Sequence, residues 1–430
     1  MRLLCCLALV FAAATAAAHG RAAYAVSLSP HPTSGRVLAG TTYGLLLSRA
    51  EGFHWICEQA LDYEDQFDPR LSWGADGTMF AALPDQLMRS SDDGCDWKPV
   101  AEFAATGASH IGEDPTAAGT YWATTAKFGQ LNSIRASTNG VTFEAKLSRP
   151  STYFSAVAVA PSNGQRIYAT AWFSEPLEAW LFRSDDRGAS FAQLSPILPG
   201  KSGFKLLAVS PADQQTLFAT VYDPQAQAVV LRSTDGGASW TALFSTDDII
   251  RGAHVSADGL TAFIASARKL YRSTDAGASF TEVSGYATNA CIAGRDGELF
   301  ICGRPPGNPF VVGTFSLTDS SVTPKLIRNE DILGPLQCPA GTSVGDVCEA
   351  QWPLTAPLLN IPLRSADGGV LVEGEEPEPR TPACGCATSD SGAAHASALV
   401  AALMLLTAAA RGGGIRRRSK QASVKGRPRG

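Results

Sequence analysis

No cysteine in this 430-residue chain belongs to a C-x-x-C pair, and the six histidines are scattered singly. A metal site needs several ligands converging at short, characteristic spacings, so no metal is expected. There is no glycine-rich phosphate loop and no G-x-S-x-G elbow, and isolated serines and histidines outline no catalytic triad. No basic patch with interleaved aromatics occurs, which leaves nucleic acid without its usual electrostatic footprint. None of these patterns implies a cofactor. Charge is also scarce, at 17% of residues against 45% hydrophobic. A chain of this length and composition buries a large core and fits one large repeat domain with tails.

What is abundant is one short phrase. RSSDDGCDW (89–97), RSDDRGASF (183–191), RSTDGGASW (232–240) and RSTDAGASF (272–280) are full copies. LSRAEGFHW (47–55) and RASTNGVTF (135–143) keep the glycine and the aromatic, but Ala50 and Thr138 stand where the aspartate belongs. The glycines Gly52, Gly94, Gly140, Gly188, Gly237 and Gly277 recur at separations of 42, 46, 48, 49 and 40 residues. Periods in this range mark propellers, solenoids or arrays.

Around the phrase RSTDGGASW lie KLLAVSP, TLFATVYD, VVLRSTD and SWTALF, four short runs rich in Val, Leu, Phe and Thr and separated by turn residues. They predict a four-stranded antiparallel meander, whose two faces are buried only when several such sheets are arranged radially. The same grammar runs from Tyr24 to about Ile327. It predicts an all-β, seven-bladed β-propeller of four-stranded antiparallel blades, with six and eight blades as the neighbouring counts. RSADGGVLV (364–372) reads as an orphan eighth copy rather than a blade. In each phrase the glycine permits a turn of positive φ, the aspartate accepts local backbone N–H groups, and the Trp or Phe inserts between neighbouring sheets.

These residues resemble the Asp-box, or bacterial-neuraminidase repeat, of sialidases, sortilin-type receptor domains, some glucan hydrolases and a photosystem II assembly factor. The matches are Ser90, Asp92, Gly94 and Trp97; Ser184, Asp186, Gly188 and Phe191; Ser233, Asp235, Gly237 and Trp240; and Ser273, Asp275, Gly277 and Phe280. The resemblance implies that the boxes are scaffold, placed on the face away from any ligand. The sialidase arginine that normally precedes the first box has no counterpart, since residues 19–47 hold only Arg21 and Arg36, neither in a Phe/Tyr-Arg-Ile-Pro context. Arg89, Arg135, Arg183, Arg232 and Arg272 precede every phrase but the first, and repetition assigns them to scaffold or solvent rather than to a substrate.

Both ends read as export signals. Residues 1–18 carry Arg2, an apolar run and a small-residue end, and are expected to be a signal peptide cut near Ala18. The propeller is assigned to 19–330 and an extension to 331–372. An acidic, proline-rich linker with a Cys384-Gly385-Cys386 motif follows at 373–392, then an apolar span at 393–410 and a basic tail at 411–430. This end resembles the tripartite sorting signals of bacterial surface proteins, the myxobacterial type in particular. It implies processing by sorting machinery and an exported body tethered by Cys384 or Cys386. Removing Arg2 and the eight C-terminal cations takes the net charge from -5 to about -14, an acidic body with no global attraction for anionic lipid or nucleic acid. Of the cysteines left in an oxidising compartment, sequence neighbours suggest Cys57 with Cys95, Cys338 with Cys348, and Cys384 with Cys386. In CIAGRDGELFIC an Asp296-Gly297 hairpin brings Cys291 opposite Cys302.

Function is expected where the repeat is broken, in the loops after each second strand and between blades. These offer Tyr63, Asp65, Phe67, Arg70, Trp172, Glu175, Tyr222, Asp223, Arg251 and Arg304 as ligand-binding candidates, with Phe128 beside them. Aromatic faces with interspersed charge suit a sugar ring or a cationic peptide. The expected partner is therefore a glycan or an extracellular protein, bound by a monomer without catalysis. A glycoside hydrolase is the alternative and needs two carboxylates across a cleft, drawn from Asp65, Asp68, Asp223 and Asp247. A structural envelope component is the third reading.

Overall fold

The computed structural model describes residues 22–63, 68–194, 200–223, 227–283, 291–295, 297–303, 310–316 and 327–362. The expected signal peptide, the Cys384-Gly385-Cys386 motif, the apolar span and the basic tail lie outside them. Among the described residues no helix is long and apolar enough to cross a membrane.

Seven antiparallel sheets follow one another along the chain. Their first strands are Ala25–Pro30, Arg70–Trp73, His110–Glu113, Thr152–Ala160, Ser202–Val209, Ile250–Val255 and Ile292–Arg295. Blade five shows the unit in full: Ser202–Val209, Leu217–Tyr222, Ala228–Ser233 and Thr241–Thr246, each paired to the next in sequence. Blades two to six have four strands each; blade seven shows three, and blade one has five. The all-β seven-bladed propeller expected from the repeats is the observed fold. Ala25–Pro30 packs against the strands of blade seven, and Arg295 Nη1 donates to His31 O at 2.6 Å across that seam, so the ring is closed by contact of contiguous blades.

Adjacent sheets share apolar layers. Phe80, Phe103, Tyr121 and Phe143 pack between blades two and three, and Ala156, Leu181, Phe204 and Leu217 between blades four and five. Small residues such as Ala169 and Ala219 in the second strands are fully buried, which lets neighbouring sheets approach closely.

The repeated phrase forms the hairpin between third and fourth strands. In blade five Asp235 accepts from Ser233 Oγ, Ser239 N and Ser239 Oγ at 2.8, 2.9 and 2.6 Å, while Ser233 Oγ accepts from Gly237 N. Gly237 has φ +86°, and a Cβ there would stand 2.1 Å from Leu181 of blade four, so the glycine is required by packing as well as by dihedral. Phe191 meets Trp122 of blade three edge-on at 6.4 Å, and Phe280 meets Phe218 of blade five at 6.2 Å, the inter-sheet role expected of the aromatic. Blade three differs from its sequence reading. The aspartate position is not lost there but moved one residue, for Asn139 accepts from Ser137 Oγ, Val141 N and Thr142 N.

These hydrogen bonds hold Asp186 and Asp235 down at about 2, chiefly through Ser190 and Ser239, and lower Asp275 in the same direction. A carboxyl whose folded pKa lies below its unfolded one adds stability above the unfolded value, which is lost as pH falls through the folded value. Thermal midpoints are therefore expected to fall between pH 4 and pH 2, and less steeply in an Asp186→Asn, Asp235→Asn double variant. An unchanged slope in that variant would contradict the assignment.

The cysteines correct two of the sequence pairings. Cys291–Cys302 forms as expected, with Arg295 opposite Glu298 and Ala293 opposite Phe300. Cys57, however, bonds Cys348, and Cys95 bonds Cys338, across 291 and 243 residues. The extension returns to blades one and two rather than closing on itself. Strand Ile332–Pro335 adds in parallel to Phe53–Ile56, and helix Ser343–Thr355 sets Trp352 5.3 Å from Trp55. Ser343 Oγ accepts from Trp97 N at 2.9 Å, and Cys95 O accepts from Val344 N at 3.0 Å. Three disulfides indicate an oxidising, extracellular environment.

Candidate functional site

Antiparallel order decides which residues share a face. First and third strands of a blade run the same way, so the repeat hairpins sit on the face where first strands end. The opposite face holds the first-strand starts, the turns after second strands and the connections between blades. Arg70 and His110 are first residues of their strands, Arg251 a second and Lys205 a fourth, so all four stand toward that loop face.

There they line one end of the central channel, a cavity of about 180 Å³ whose wall also includes Ser27 and Leu206 and, among the described residues, no carboxylate. Irregular register sets them. The pairing of Ser202–Val209 shifts between Ser202 and Lys205, and that of Ile250–Val255 between Ile250 and Gly252, leaving Arg251 as the extra residue. Such bulges re-aim side chains relative to a regular strand. Serines tie neighbouring first strands together at this level: Ser27 Oγ donates to Pro69 O at 2.6 Å and Ser109 Oγ to Phe154 O at 2.7 Å, and Ser155 Oγ donates to Phe204 O.

Among the described residues the charges at this mouth do not balance locally. Arg251 pairs with Asp68 at 3.1 Å. The side chains of Arg70 and Lys205 have no hydrogen-bond or ion-pair partner among the described residues. Burial, then the charges of Arg70 and Arg251, pull the Lys205 ammonium down to about 7. Burial, aided by Lys205 and Arg70, takes His110 to about 3, so its imidazole is neutral. Arg70 is lowered by burial and by Arg251, opposed by Asp68 and Tyr222. Tyr222 is raised by burial, against the pull of Arg251 and Arg70. Toward the hairpin face lies a second cavity of about 380 Å³, lined by Trp122, Val157, Val159 and His254 among others; the two share His110 and Ala253.

A second feature rises from blade four. Tyr153 stacks on Trp172 at 4.4 Å and 22°, and on its other side faces Phe128 at 6.5 Å and 11°. Phe128 is 84% exposed. Tyr153 is the second residue of a first strand lying between those of His110 and Lys205, so the ladder stands beside the mouth.

Of the sequence candidates, Arg70 and Arg251 come together at the mouth, Tyr222 ends the second strand of blade five on the same face, and Trp172 joins the ladder. Glu175 is exposed at the tip of the blade-four hairpin. Tyr63 is not a surface residue but part of the core under blades one and two. Asp65, Phe67 and Arg304 lie outside the described residues. The carboxylates considered for hydrolysis are engaged locally: Asp68 with Arg251, Asp223 accepting from Gln227 N at 2.8 Å, and Asp247, 81% exposed, with Arg268. Lys205, His110 and Tyr153 were missed because they sit in first strands, which loop-based reasoning treats as scaffold. The available signal was a charged or titratable residue interrupting an otherwise apolar inner strand, as in FKLLAV. Among the described residues no group of three or more His, Cys, Asp or Glu could hold a metal.

No protein-family model matches the chain, and no curated protein matches it. Solved structures do. A GH74 xyloglucanase from Xanthomonas campestris is 13% identical over 69% of this chain and 66% of its own, with a TM-score of 0.44. An ancestral GH74 enzyme is matched over 36% of its length. YCF48 bound to D1 peptide is 13% identical over 70% of this chain and 95% of its own, TM-score 0.45, and the Dos1 propeller is 11% identical over 69% and 82%, TM-score 0.46. At such identities the likeness is one of fold.

Proposed function

We propose that this chain is an exported binding propeller whose loop face, opposite the repeat hairpins, holds a glycan without cleaving it. The ladder of Phe128, Tyr153 and Trp172 carries this reading. Flat aromatic faces offer apolar area to the C–H faces of sugar rings, and Phe128 is freely reachable. The cation-lined mouth favours binding over glycoside hydrolysis, which would need a pair of carboxylates there. The resemblance of the hairpins to Asp boxes supports placing the ligand on this face, and the sorting-signal resemblance of residues 373–430 supports display of a monomer at the cell surface.

The test is affinity electrophoresis and tryptophan fluorescence against a panel of neutral polysaccharides, with extracellular peptides as the comparison set. A saturable glycan ligand is expected, weakened roughly 10- to 100-fold by Phe128→Ala combined with Trp172→Ala, at unchanged thermal midpoint. Affinity indifferent to the double variant would remove the ladder from the site. Peptide binding without glycan binding would reassign the ligand class.

A further inference from the structure

The mouth of the central channel carries a second, independent observation. Three cations from three separate blades, Arg70, Lys205 and Arg251, converge on one cavity, and only Arg251 has a carboxylate partner among the described residues. Among the described residues the wall itself holds no Asp or Glu. Half-buried cations crowded together without a hydrogen-bonded counter-charge cost stability, whereas apolar side chains of similar size at the same positions do not. The cations are moreover not part of the repeated phrase, so the scaffold does not require them. Ser27 adds a hydroxyl in the wall. Arginine forks match the geometry of carboxylate, sulfate and phosphate, and a lysine supplies a movable point charge beside them.

We propose that the channel mouth is an oxyanion site, in which Arg70, Lys205 and Arg251 bind a single carboxylate, sulfate or phosphate group. A cavity of about 180 Å³ admits one such group and not a whole polymer, so a larger ligand enters by an end or a side substituent. The site lies in the otherwise acidic exported body and selects by local field, not by global charge.

The experiment uses the full exported chain and isothermal titration with sodium sulfate, sodium phosphate and sodium galacturonate, in chloride buffers of matched ionic strength. Saturable binding at one site per chain is expected for at least one probe, with affinity lost at least tenfold in Lys205→Met and in Arg70→Met. Lys205→Arg is expected to retain binding, and Lys98→Met, a surface cation 77% exposed on blade two, to leave it unchanged. Circular dichroism confirms the fold of each variant. Stronger binding of galacturonate than of sulfate assigns the group to a ligand, and the reverse assigns a free anion; either sustains the site. Non-saturable effects, or equal effects in wild type and both methionine variants, would overturn it as a bulk salt response. The ladder reading is untouched by that outcome, because neutral glycans probe it separately.

Discussion

Removing the two long-range disulfides lowers the thermal midpoint more than any other pair of cysteine substitutions. Cys57–Cys348 and Cys95–Cys338 tie the last described segment to blades one and two across 291 and 243 residues. In the chain-entropy account a cross-link closing so long a loop restricts the unfolded chain by about 5–6 kcal/mol, whereas one closing a short hairpin, like Cys291–Cys302 at 11 residues, restricts it by about 3 kcal/mol. At roughly 2 °C per kcal/mol for a domain of this size, Cys57→Ala with Cys348→Ala is expected to cost up to about 10–12 °C, less the part of the loop that Cys95–Cys338 still restricts. Removing both long-range bonds costs more than either, because the second still restricts the loop left by the first. Differential scanning calorimetry of the pairs, beside Cys291→Ser with Cys302→Ser, gives the ranking. A hairpin pair that costs as much as the long-range pair would show that the clasp contributes little. The physical setting supports the larger value, since Ile332–Pro335, Trp352 and Ser343 all contact blades one or two and lose their tether when the bonds are gone.

Substituting Lys205 by methionine stabilises the protein at neutral and lower pH. In the folded state its ammonium is held near 7, below the ordinary lysine value of 10.5, so folding is penalised whenever the side chain must be charged. The penalty is fully present below about pH 7 and disappears as pH rises toward 10.5, because over that interval the unfolded state binds more protons. The channel opens to solvent, which reduces the magnitude from that of a sealed interior; about 2–4 kcal/mol is expected. Urea denaturation of wild type and Lys205→Met between pH 6 and 10 tests this. The variant is expected to be more stable at pH 6, with the gap closing by pH 10. A variant less stable at pH 6 would show that Lys205 has a structural counter-charge. Arg70, His110 and Arg251 line the same cavity, Asp68 and Tyr222 act on Arg70 from outside that lining, and all five remain in both proteins, so the difference isolates position 205.

The predictions rest on features that were unequally legible in the chain. Blade five was readable strand by strand, because each strand is short, apolar and bounded by turn residues. The Cys291–Cys302 bond was readable because a two-residue turn sets its register locally. Asn139 was harder: the blade-three hairpin keeps its hydrogen bonds with the acceptor displaced by one residue, which a fixed-spacing motif does not capture. Tyr63 looked like a loop aromatic but serves the core, since the turn Glu58–Leu61 folds it back under blade one.

Sequence alone determined the repeat, the four-stranded blade and the face on which the hairpins lie, because those follow from local periodicity and the alternation of antiparallel strands, and it left the blade count at seven with six and eight beside it. Tertiary structure decided the rest. Cys57 met Cys348 only because the chain after the last blade returns to the first, and Arg70, Lys205 and Arg251 became one site only because a closed ring brings the starts of separate first strands to the same end of the channel. Neither convergence has a period or a spacing along the chain; both are properties of the closed circle.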